Sequence, residues 1–264
     1  MSGQLDYEGI KFNHQGFNKV VDPITVEKAL QISINDKSFT VVMQTPGDEL
    51  ELAIGLLYSE DVLSKKTAYK TELRKDDEGL IAEINFTVEL DQLGKGYLSS
   101  RSLLSVSSCG ICGKQSLSDL TVNGTSLKPS DQINTNFIFE LQDKMHQAQA
   151  IFPYTGSIHG AAIFNINGEL LSCKEDIGRH NALDKAIGDL LMQKKLAAGN
   201  ILFFSGRISY EIVTKSFRAK IKTIIAISGP SSLAIDYAKE FGINLIGFCR
   251  DGRLTAYTDG GFLK

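Results

Sequence analysis

The sequence predicts a mixed α/β fold in two parts, and two patterns support this prediction. After residue 200, short apolar stretches alternate with helical ones, and such β-α-β-α-β alternation is typical of a parallel sheet with right-handed crossovers. Before residue 90, two hairpin patterns flank one helical stretch. We therefore expect a smaller N-terminal α+β domain over residues 1–130 and a C-terminal α/β domain over residues 131–264.

The N-terminal part is expected to contain an arm, two hairpins and a helix. Residues 1–22 show no clear periodicity, so we expect them to form the arm. Residues 30–43 alternate on either side of a turn and predict the first hairpin, and residues 69–88 predict the second. Between the hairpins, Pro46 opens a helical stretch with acidic residues in its first turns.

The C-terminal part is predicted to begin with a helix, a hairpin and a second helix. Apolar side chains recur at helical spacing over residues 134–152. The Asn167-Gly168 turn centres the clearest hairpin pattern of the chain, over residues 161–173, and a helix follows over 181–197. The alternating segment then contains, in order, strand 201–205, helix 209–219, strand 223–228, helix 231–241 and strand 244–248.

The composition is that of an ordinary globular protein and argues against several classes. Hydrophobic residues make up 42% and charged residues 22% of the chain, and the net charge is −3. The lack of a long basic run argues against a nucleic-acid partner, and no apolar run reaches the ~18 residues of a membrane span. Without a signal-peptide pattern, and with four cysteines that form no disulfide framework, we expect a cytoplasmic protein.

A pair of cysteines is the first candidate for chemistry. Cys109 and Cys112 are separated by two residues and flanked by Gly110 and Gly113, within a Gly-, Ser- and Lys-rich segment over residues 93–118. Such a composition predicts a mobile loop, where functional residues are common. Two thiols on one exposed turn can lower the pKa of one of them, which favours the nucleophilic thiolate. The pattern therefore predicts a reactive thiol.

Three other interpretations of the cysteine pair are less favoured. A structural zinc site needs two further ligands, and Cys173 and Cys249 stand alone in the sequence. Packed, unreactive cysteines are poorly matched by glycine and serine neighbours. A redox disulfide of the thioredoxin type lies between a strand and the helix that it opens, whereas the glycines on both sides here look less helical.

The second candidate is a pair of polar segments around the predicted hairpin. His159 precedes the hairpin, where a structural histidine is the commoner interpretation. Residues 175–181 follow it and contain two acids, Arg179, His180 and Asn181 within seven residues. They can form an elaborate helix cap. They can equally form a loop in which Arg179 and His180 face an anionic or heteroaromatic ligand, and the sequence leaves both alternatives open.

The third candidate is a set of three loops that follow predicted parallel strands. Ligands of open α/β sheets bind at the carboxyl ends of strands, where helix N-termini favour anions. Three arginines and several small residues there predict a phosphate-bearing ligand, although Gly and Ser are also ordinary turn residues and no G-x-G-x-x-G or Walker sequence occurs. The loops are Ser205–Arg207, Ser228–Ser231 and Phe248–Arg253.

Seven motifs in order make the chain resemble the formate dehydrogenase accessory sulfurtransferases, the FdhD family. The match runs from about Pro46 to Thr258. In chain order, the motifs are TPGDELELAIGLLYSE, SSCGICG, TGSIHGAA, KEDIGRHNALDK, SGRISYE, SGPSSLA and FCRDGR. Three departures from the family pattern are Lys174 in place of Arg, Ser157-Ile158 in place of Gly-Thr, and Asp61 in place of Gly. The order of the motifs is far more specific than a CxxC pair alone.

The resemblance implies a function. Proteins of this family take sulfur from a cysteine desulfurase and pass it to the molybdenum or tungsten cofactor of formate dehydrogenase. That cofactor, bis-molybdopterin guanine dinucleotide, is the bound substrate, and no permanently bound metal is expected. The resemblance also implies a cytidine-deaminase-like, three-layer C-terminal domain and a homodimer.

The resemblance also assigns residues. It places the sulfur-carrying thiol at Cys109, with Cys112 as its partner. We expect a guanine-nucleotide pocket formed by the residues that the resemblance assigns and by those singled out above. The first group is Phe248, Cys249, Arg250, Asp251, Gly252 and Arg253, and the second is His159, Arg179, His180, Ser205 and Arg207.

Two alternatives belong to other functional classes. A chaperone that only holds the guanine-bearing cofactor would also bind the nucleotide, but it would carry no sulfur. A zinc-dependent nucleoside or base deaminase needs a His/Cys-x-Glu sequence and a Pro-Cys-x-x-Cys pair. Gly160 and Ala161 follow His159, and Ser108 precedes Cys109, so these motifs do not assemble a deaminase site.

Overall fold

A computed structural model describes residues 3–99, 124–127, 132–258 and 263 of the chain. In these ranges the chain forms a two-stranded, a four-stranded and a six-stranded β-sheet together with α-helices, which confirms the mixed α/β class. Cys109, Cys112 and most of the loop predicted over residues 93–118 lie outside the described residues, as does the predicted boundary near residue 130. The two-domain division therefore stays a prediction.

The N-terminal part contains both predicted hairpins, joined into one sheet. Strands β3 and β6 run parallel at its centre, and β4 and β5 lie at its edges. The predicted helix packs its buried leucines on this sheet. The elements of this part are β1 (Gln4–Asn13), β2 (Gly16–Thr25), β3 (Lys28–Ile34), β4 (Lys37–Gln44), α1 (Glu49–Ser59), β5 (Lys70–Lys75), β6 (Ile81–Thr87) and α2 (Lys95–Ser99).

The prediction of an irregular arm over residues 1–22 is wrong. Strands β1 and β2 form a regular antiparallel hairpin in which Gln4 pairs with Thr25 and Asn13 with Gly16. Nearly every residue of this hairpin is exposed, so neither of its faces is buried in the core. Apolar side chains therefore occur on both faces, and the alternation that reveals a half-buried strand is missing.

The C-terminal part is built on a six-stranded sheet in the order β12-β11-β10-β9-β7-β8. The three predicted parallel strands are present as β9, β10 and β11. The sheet is mixed, however, because β7 pairs antiparallel with both β8 and β9, and an unpredicted strand β12 pairs antiparallel with β11. The strands are β7 (His159–Phe164), β8 (Leu170–Asp176), β9 (Ile201–Phe204), β10 (Thr223–Ala226), β11 (Asn244–Arg250) and β12 (Arg253–Thr258).

Helices cover both faces of this sheet and make three layers. Buried side chains of α5, α6 and α7 pack on one face, and those of α3 pack on the other. The helix predicted over residues 181–197 ends earlier than expected, at Met192, because Lys194 adopts the left-handed conformation with a φ of 57°. The helices are α3 (Thr135–Ala148), α4 (Phe152–Thr155), α5 (Arg179–Met192), α6 (Tyr210–Ala219) and α7 (Ser232–Phe241). Among the described residues, none of the helices is both long and apolar enough to span a membrane.

The two parts of the chain meet where α1 crosses α5. Two glycines allow the helix backbones to touch: a Cβ atom at Gly55 would lie 1.9 Å from the carbonyl oxygen of Asp184. A Cβ atom at Gly188 would likewise lie 1.9 Å from the carbonyl oxygen of Glu51. Any larger residue at either glycine would push the helices apart, so this contact fixes α5 relative to the N-terminal sheet.

Candidate functional site

Strand directions bring the predicted nucleotide-pocket residues, though not Cys109 and Cys112, which lie outside the described residues, to one edge of the six-stranded sheet. The carboxyl ends of the parallel strands β9, β10 and β11 lie at this edge. Strand β7 runs the opposite way, and Ala161 pairs with Phe204, so its first residue, His159, lies at the same edge. His159 pairs in turn with Asp176, the last residue of β8. We call this the polar edge: residues 157–160, 175–181, 205–209, 228–231 and 248–253.

Three helices begin at the polar edge. Helix α5 starts at Arg179, directly after β8, and α6 starts at Tyr210 after the loop that follows β9. Helix α7 follows β10, and the side chain of Ser231 caps it by accepting a hydrogen bond from the backbone N–H of Ala234 at 3.2 Å. The N-terminus of a helix carries a partial positive charge and free N–H groups. Three of them at one edge favour an anionic ligand.

His159 is half-buried and interacts with Ser205. Its Nδ1 lies 3.4 Å from Ser205 Oγ, which also accepts a hydrogen bond from the backbone N–H of Gly160 at 2.9 Å. Burial lowers the pKa of His159, and the nearby positive charge of Arg179 lowers it further, against the opposing effect of Asp176. His159 is therefore a neutral hydrogen-bonding group at pH 7.

Arg179 has a buried hydrogen-bond donor. Its Nε donates no hydrogen bond to any of the residues that the structure describes. The side chain is half-buried against Gly206, where a Cβ atom would lie 3.2 Å from Arg179 Cβ. Arg207, in the same loop as Gly206, is exposed. A buried guanidinium donor without a partner costs free energy unless a ligand or water satisfies it. This makes Arg179 the strongest ligand-binding candidate at the polar edge.

His180 contacts two residues that the sequence interpretation did not single out. Its Nε2 lies 3.3 Å from Ser209 Oγ and 3.8 Å from Glu211 Oε2, and Glu211 is only 6% exposed. Burial acts to raise the pKa of Glu211. Hydrogen bonds from His180, Ser209 and its own backbone N–H outweigh that effect and bring the pKa to about 2. An acid two residues after a possible N-cap serine was the signal that could have identified this group.

The loop between β11 and β12 is a tight turn. Asp251 and Gly252 both have positive φ, at 55° and 70°, and Arg250 pairs with Arg253 across the turn. Arg250 and Arg253 are exposed at its tip, where Arg253 Nη2 lies 3.7 Å from Asp251 Oδ2. The turn therefore contributes two cations to the polar edge.

Phe248 and Cys249 precede this turn and differ in exposure. Phe248 has a φ of 53° and is 41% exposed, and its ring lies so close to Gly229 that a Cβ atom there would be 2.4 Å from Cζ. Cys249 is fully buried on the side of the sheet that faces α3, and burial raises the pKa of its thiol to about 11. Phe248 thus presents a flat apolar surface at the polar edge, whereas the thiol of Cys249 lies in the core.

The acidic residues of segment 175–181 have structural roles. Glu175 accepts hydrogen bonds from the backbone N–H groups that start α4, at 2.7 to 2.9 Å. Asp176 accepts hydrogen bonds from the backbone N–H groups of Thr45 and Gly178, and it pairs with Lys185 at 2.8 Å. The acids of the segment therefore hold the backbone, and Arg179 and His180 lie at the polar edge, where their contact with a ligand stays a prediction.

Lys174, which departs from the family pattern, has a partner of its own. Its Nζ lies 2.5 Å from Asp48 Oδ1, at the residue before α1, and 4.0 Å from Glu51 Oε1. The position thus joins β8 to the start of α1 by an ion pair.

The lowered pKa of His159 predicts a pH dependence of stability. Since folding lowers this pKa below its ordinary value of 6.5, the unfolded chain binds the proton more readily than the folded one. The stability that neutral His159 contributes is therefore present above 6.5 and is lost as the pH falls from that value towards the folded-state pKa. We expect the His159→Gln protein to lose less stability than the wild type between neutral and mildly acidic pH, as measured by urea unfolding. Equal losses in the two proteins would contradict this prediction.

Among the described residues, no three His, Cys, Asp or Glu side chains are grouped so that they could hold a metal ion. The described residues do, however, bring cations, helix N-termini and an exposed aromatic ring together at the polar edge. This arrangement fits a ligand with phosphate groups and a flat base.

Comparisons with known proteins agree with the motifs. A family model described as the FdhD/NarQ family matches residues 25–263. A protein named sulfur carrier protein FdhD from Sulfolobus acidocaldarius is 40% identical over 239 residues, which cover 90% of this chain and 89% of that protein. The protein of the same name from Saccharolobus solfataricus is 37% identical over 248 residues, covering 94% and 91%.

A solved structure shows the same fold. It is described as a formate dehydrogenase accessory protein from Desulfotalea psychrophila, and it superposes with a TM-score of 0.75 over 99% of both chains. Its sequence identity to this chain is 20%, so the likeness concerns the fold alone.

Proposed function

This chain belongs to the FdhD/NarQ family, and on that premise we propose that it is a sulfurtransferase with a persulfide intermediate. Cys109 takes sulfur from a cysteine desulfurase, and the sulfur passes to the molybdenum or tungsten bis-guanine-dinucleotide cofactor of formate dehydrogenase. The proteins similar to this chain are named sulfur carrier proteins, which supports the sulfur-transfer part of the proposal. We further propose that the chain acts as a homodimer.

The observation that carries the cofactor part of the proposal is the polar edge. The cofactor has guanine bases and pyrophosphate groups, and the edge supplies complementary groups for both. Arg179, Arg207 and the arginines of the β11–β12 turn can pair with pyrophosphate oxygens, where bidentate hydrogen bonds are strong. The exposed ring of Phe248 can stack on a guanine. His159 and Ser205 can supply neutral hydrogen bonds to the ligand.

The first step of the transfer is thiol exchange. The thiolate of Cys109 attacks the terminal sulfur of the desulfurase persulfide, a new S–S bond forms on Cys109, and the desulfurase leaves as its cysteine thiolate. Cys112 then has two possible roles. It can attack the terminal sulfur and become the persulfide itself, which frees Cys109. It can alternatively attack the sulfur atom of Cys109, which releases sulfide and leaves a Cys109–Cys112 disulfide for a thiol reductant to reopen.

Desulfurase-driven loading tests the proposal. We expect wild-type protein incubated with a cysteine desulfurase and cysteine to gain about 32 Da, one sulfur atom, on the peptide that holds Cys109. Cys109→Ala should gain none and should fail to activate formate dehydrogenase, whereas Cys112→Ala separates the two roles of that thiol. Cys173→Ser is the matched control, because burial raises the pKa of the Cys173 thiol to about 12 and keeps it unreactive.

The same assay separates sulfur transfer from a chaperone that only holds the cofactor. Both proteins would bind guanine nucleotides. Only a sulfurtransferase loses its persulfide as formate dehydrogenase becomes active. If Cys109→Ala still collects sulfur and activates the enzyme, the assignment of the carrier thiol is wrong.

A further inference from the structure

The N-terminal hairpin carries an exposed apolar face. Ile10, Phe12, Phe17 and Val21 point to the same side of the hairpin and are 56%, 74%, 72% and 62% exposed. Phe12 and Phe17 are directly opposite each other, with ring centroids 5.8 Å apart. Thr25, at the base of the hairpin, donates a hydrogen bond to Thr155 Oγ1 of α4 at 3.1 Å. We call these four apolar residues the hairpin face.

An uncovered hairpin of this kind is unfavourable. A two-stranded sheet is at best marginally stable alone in water, and large contiguous apolar patches on soluble proteins mark interaction sites. From the exposed fractions, the hairpin face presents on the order of 500 Å² of apolar side chain. A specific interface buries about 800 Å² on each partner. Backbone and the stems of neighbouring polar side chains would supply the remainder, so the face is large enough to be the centre of an interface.

The charges beside the hairpin face are self-complementary. Glu8 on β1 and Lys19 on β2 lie on the same side as the apolar residues, because Glu8 pairs with Val21 and Ile10 with Lys19. A two-fold axis along the hairpin places β1 of one copy over β2 of another. The phenylalanine pairs then stack on each other, and each Glu8 lies near Lys19 of the second copy. A strongly acidic or basic partner would leave one of these charges beside a like charge.

We infer that the hairpin face binds the same face of a second copy of this chain. This inference rests on the proposed function, which includes a homodimer, and deepens it by naming the surface through which the two copies contact each other. The contact is isologous, since the same residues meet on both copies. The four residues of the hairpin face precede residue 25, where the match to the family model begins, so the surface rests on the geometry of this chain and not on the family match.

Sedimentation equilibrium of the full chain over a wide concentration range tests the inference. We expect the wild type to dimerise and Phe12→Ser/Phe17→Ser to raise the dissociation constant by on the order of 100-fold or more, because aromatic residues at the centre of an interface dominate affinity. Leu90→Ser is the matched control: Leu90 is also exposed, at 71%, but it lies outside the hairpin. Circular dichroism checks that each variant is folded. A monomeric wild type, or a dimer that survives the double substitution, overturns the inference.

A charge exchange tests the two-fold arrangement. Glu8→Lys alone and Lys19→Glu alone should each dimerise more weakly than the wild type. A mixture of the two variants should form a heterodimer that is tighter than either homodimer, since both reciprocal pairs are then of opposite charge. A mixture no tighter than the single variants contradicts the arrangement.

Sulfur loading measured on the same proteins keeps this inference separate from the proposed function. Loss of the dimer in Phe12→Ser/Phe17→Ser with sulfur still loaded on Cys109 supports both. A hairpin-dependent dimer that accepts no sulfur supports the contact and refutes the proposed function.

Discussion

Lys185→Met is expected to destabilise the protein by about 3–5 kcal/mol. Lys185 and Asp176 form an ion pair at 2.8 Å and are 1% and 0% exposed. Lys185 Nζ also donates a hydrogen bond to the backbone carbonyl of Thr45 at 2.5 Å. Methionine fills a similar volume but leaves the Asp176 carboxylate buried without its cation, and an unpaired buried charge is among the costliest defects in a protein. Urea unfolding measures the loss.

Two control variants isolate the cause of that loss. Asp176→Asn/Lys185→Met removes both charges, and we expect it to recover a large part of the lost stability. Lys28→Met breaks the ion pair of Lys28 with Glu78, whose side chains are 36% and 53% exposed, so solvent screens the pair and the loss of stability should be far smaller than for Lys185→Met. A Lys185→Met protein as stable as Lys28→Met would show that the buried pair does not hold β8, α5 and Thr45 together.

Arg179→Ala is expected to weaken the binding of GDP by roughly 10- to 100-fold, a value typical for the loss of a charge-assisted bidentate contact. The buried Nε of Arg179 has no hydrogen-bond partner in the described part of the chain, and the residue begins α5 at the edge where α6 and α7 also begin. Arg179→Lys keeps the charge but not the planar fork, so it should restore only part of the affinity. Isothermal titration calorimetry with GDP gives the comparison.

Arg218→Ala is the matched control for Arg179→Ala. Arg218 is also an arginine near a helix end, but it pairs with Asp61 at 3.3 Å. It lies in the last turn of α6, at the end opposite to the polar edge. We expect GDP affinity to be unchanged by this substitution. If Arg179→Ala and Arg218→Ala behave alike, Arg179 does not contact the nucleotide.

Much of the fold, and the meeting of the candidate pocket loops at one edge of the sheet, could be predicted from local patterns. The Asn35-Asp36 and Asn167-Gly168 turns lie where the sequence placed hairpins, and the alternating segment forms β9, β10 and β11. The carboxyl ends of parallel strands necessarily share an edge, so the order of strands and helices along the chain is enough to group the loops that follow them. The family resemblance, which the motifs supported, is confirmed.

The remainder depends on contacts between distant residues. The hydrogen bond that Asp176 accepts from Thr45 could not be predicted, because Thr45 lies 131 positions earlier in the chain. Glu211 was passed over because its role follows from His180, which belongs to another helix. The hairpin of β1 and β2 was missed because a strand pair exposed on both faces has no alternation to detect. The sulfur-carrying role of Cys109 and Cys112 stays a prediction, since both lie outside the described residues.

The backbone contact of Gly55 and Gly188 has a consequence for how the chain unfolds. Helix α1 belongs to the N-terminal sheet and α5 to the six-stranded sheet, yet neither helix can loosen without exposing the other. Melting of either half removes the support of its neighbour, so heat should produce a single cooperative transition. A fragment cut near residue 130 would leave α5 without the surface on which it lies, and neither half would be expected to persist as an independent folding unit.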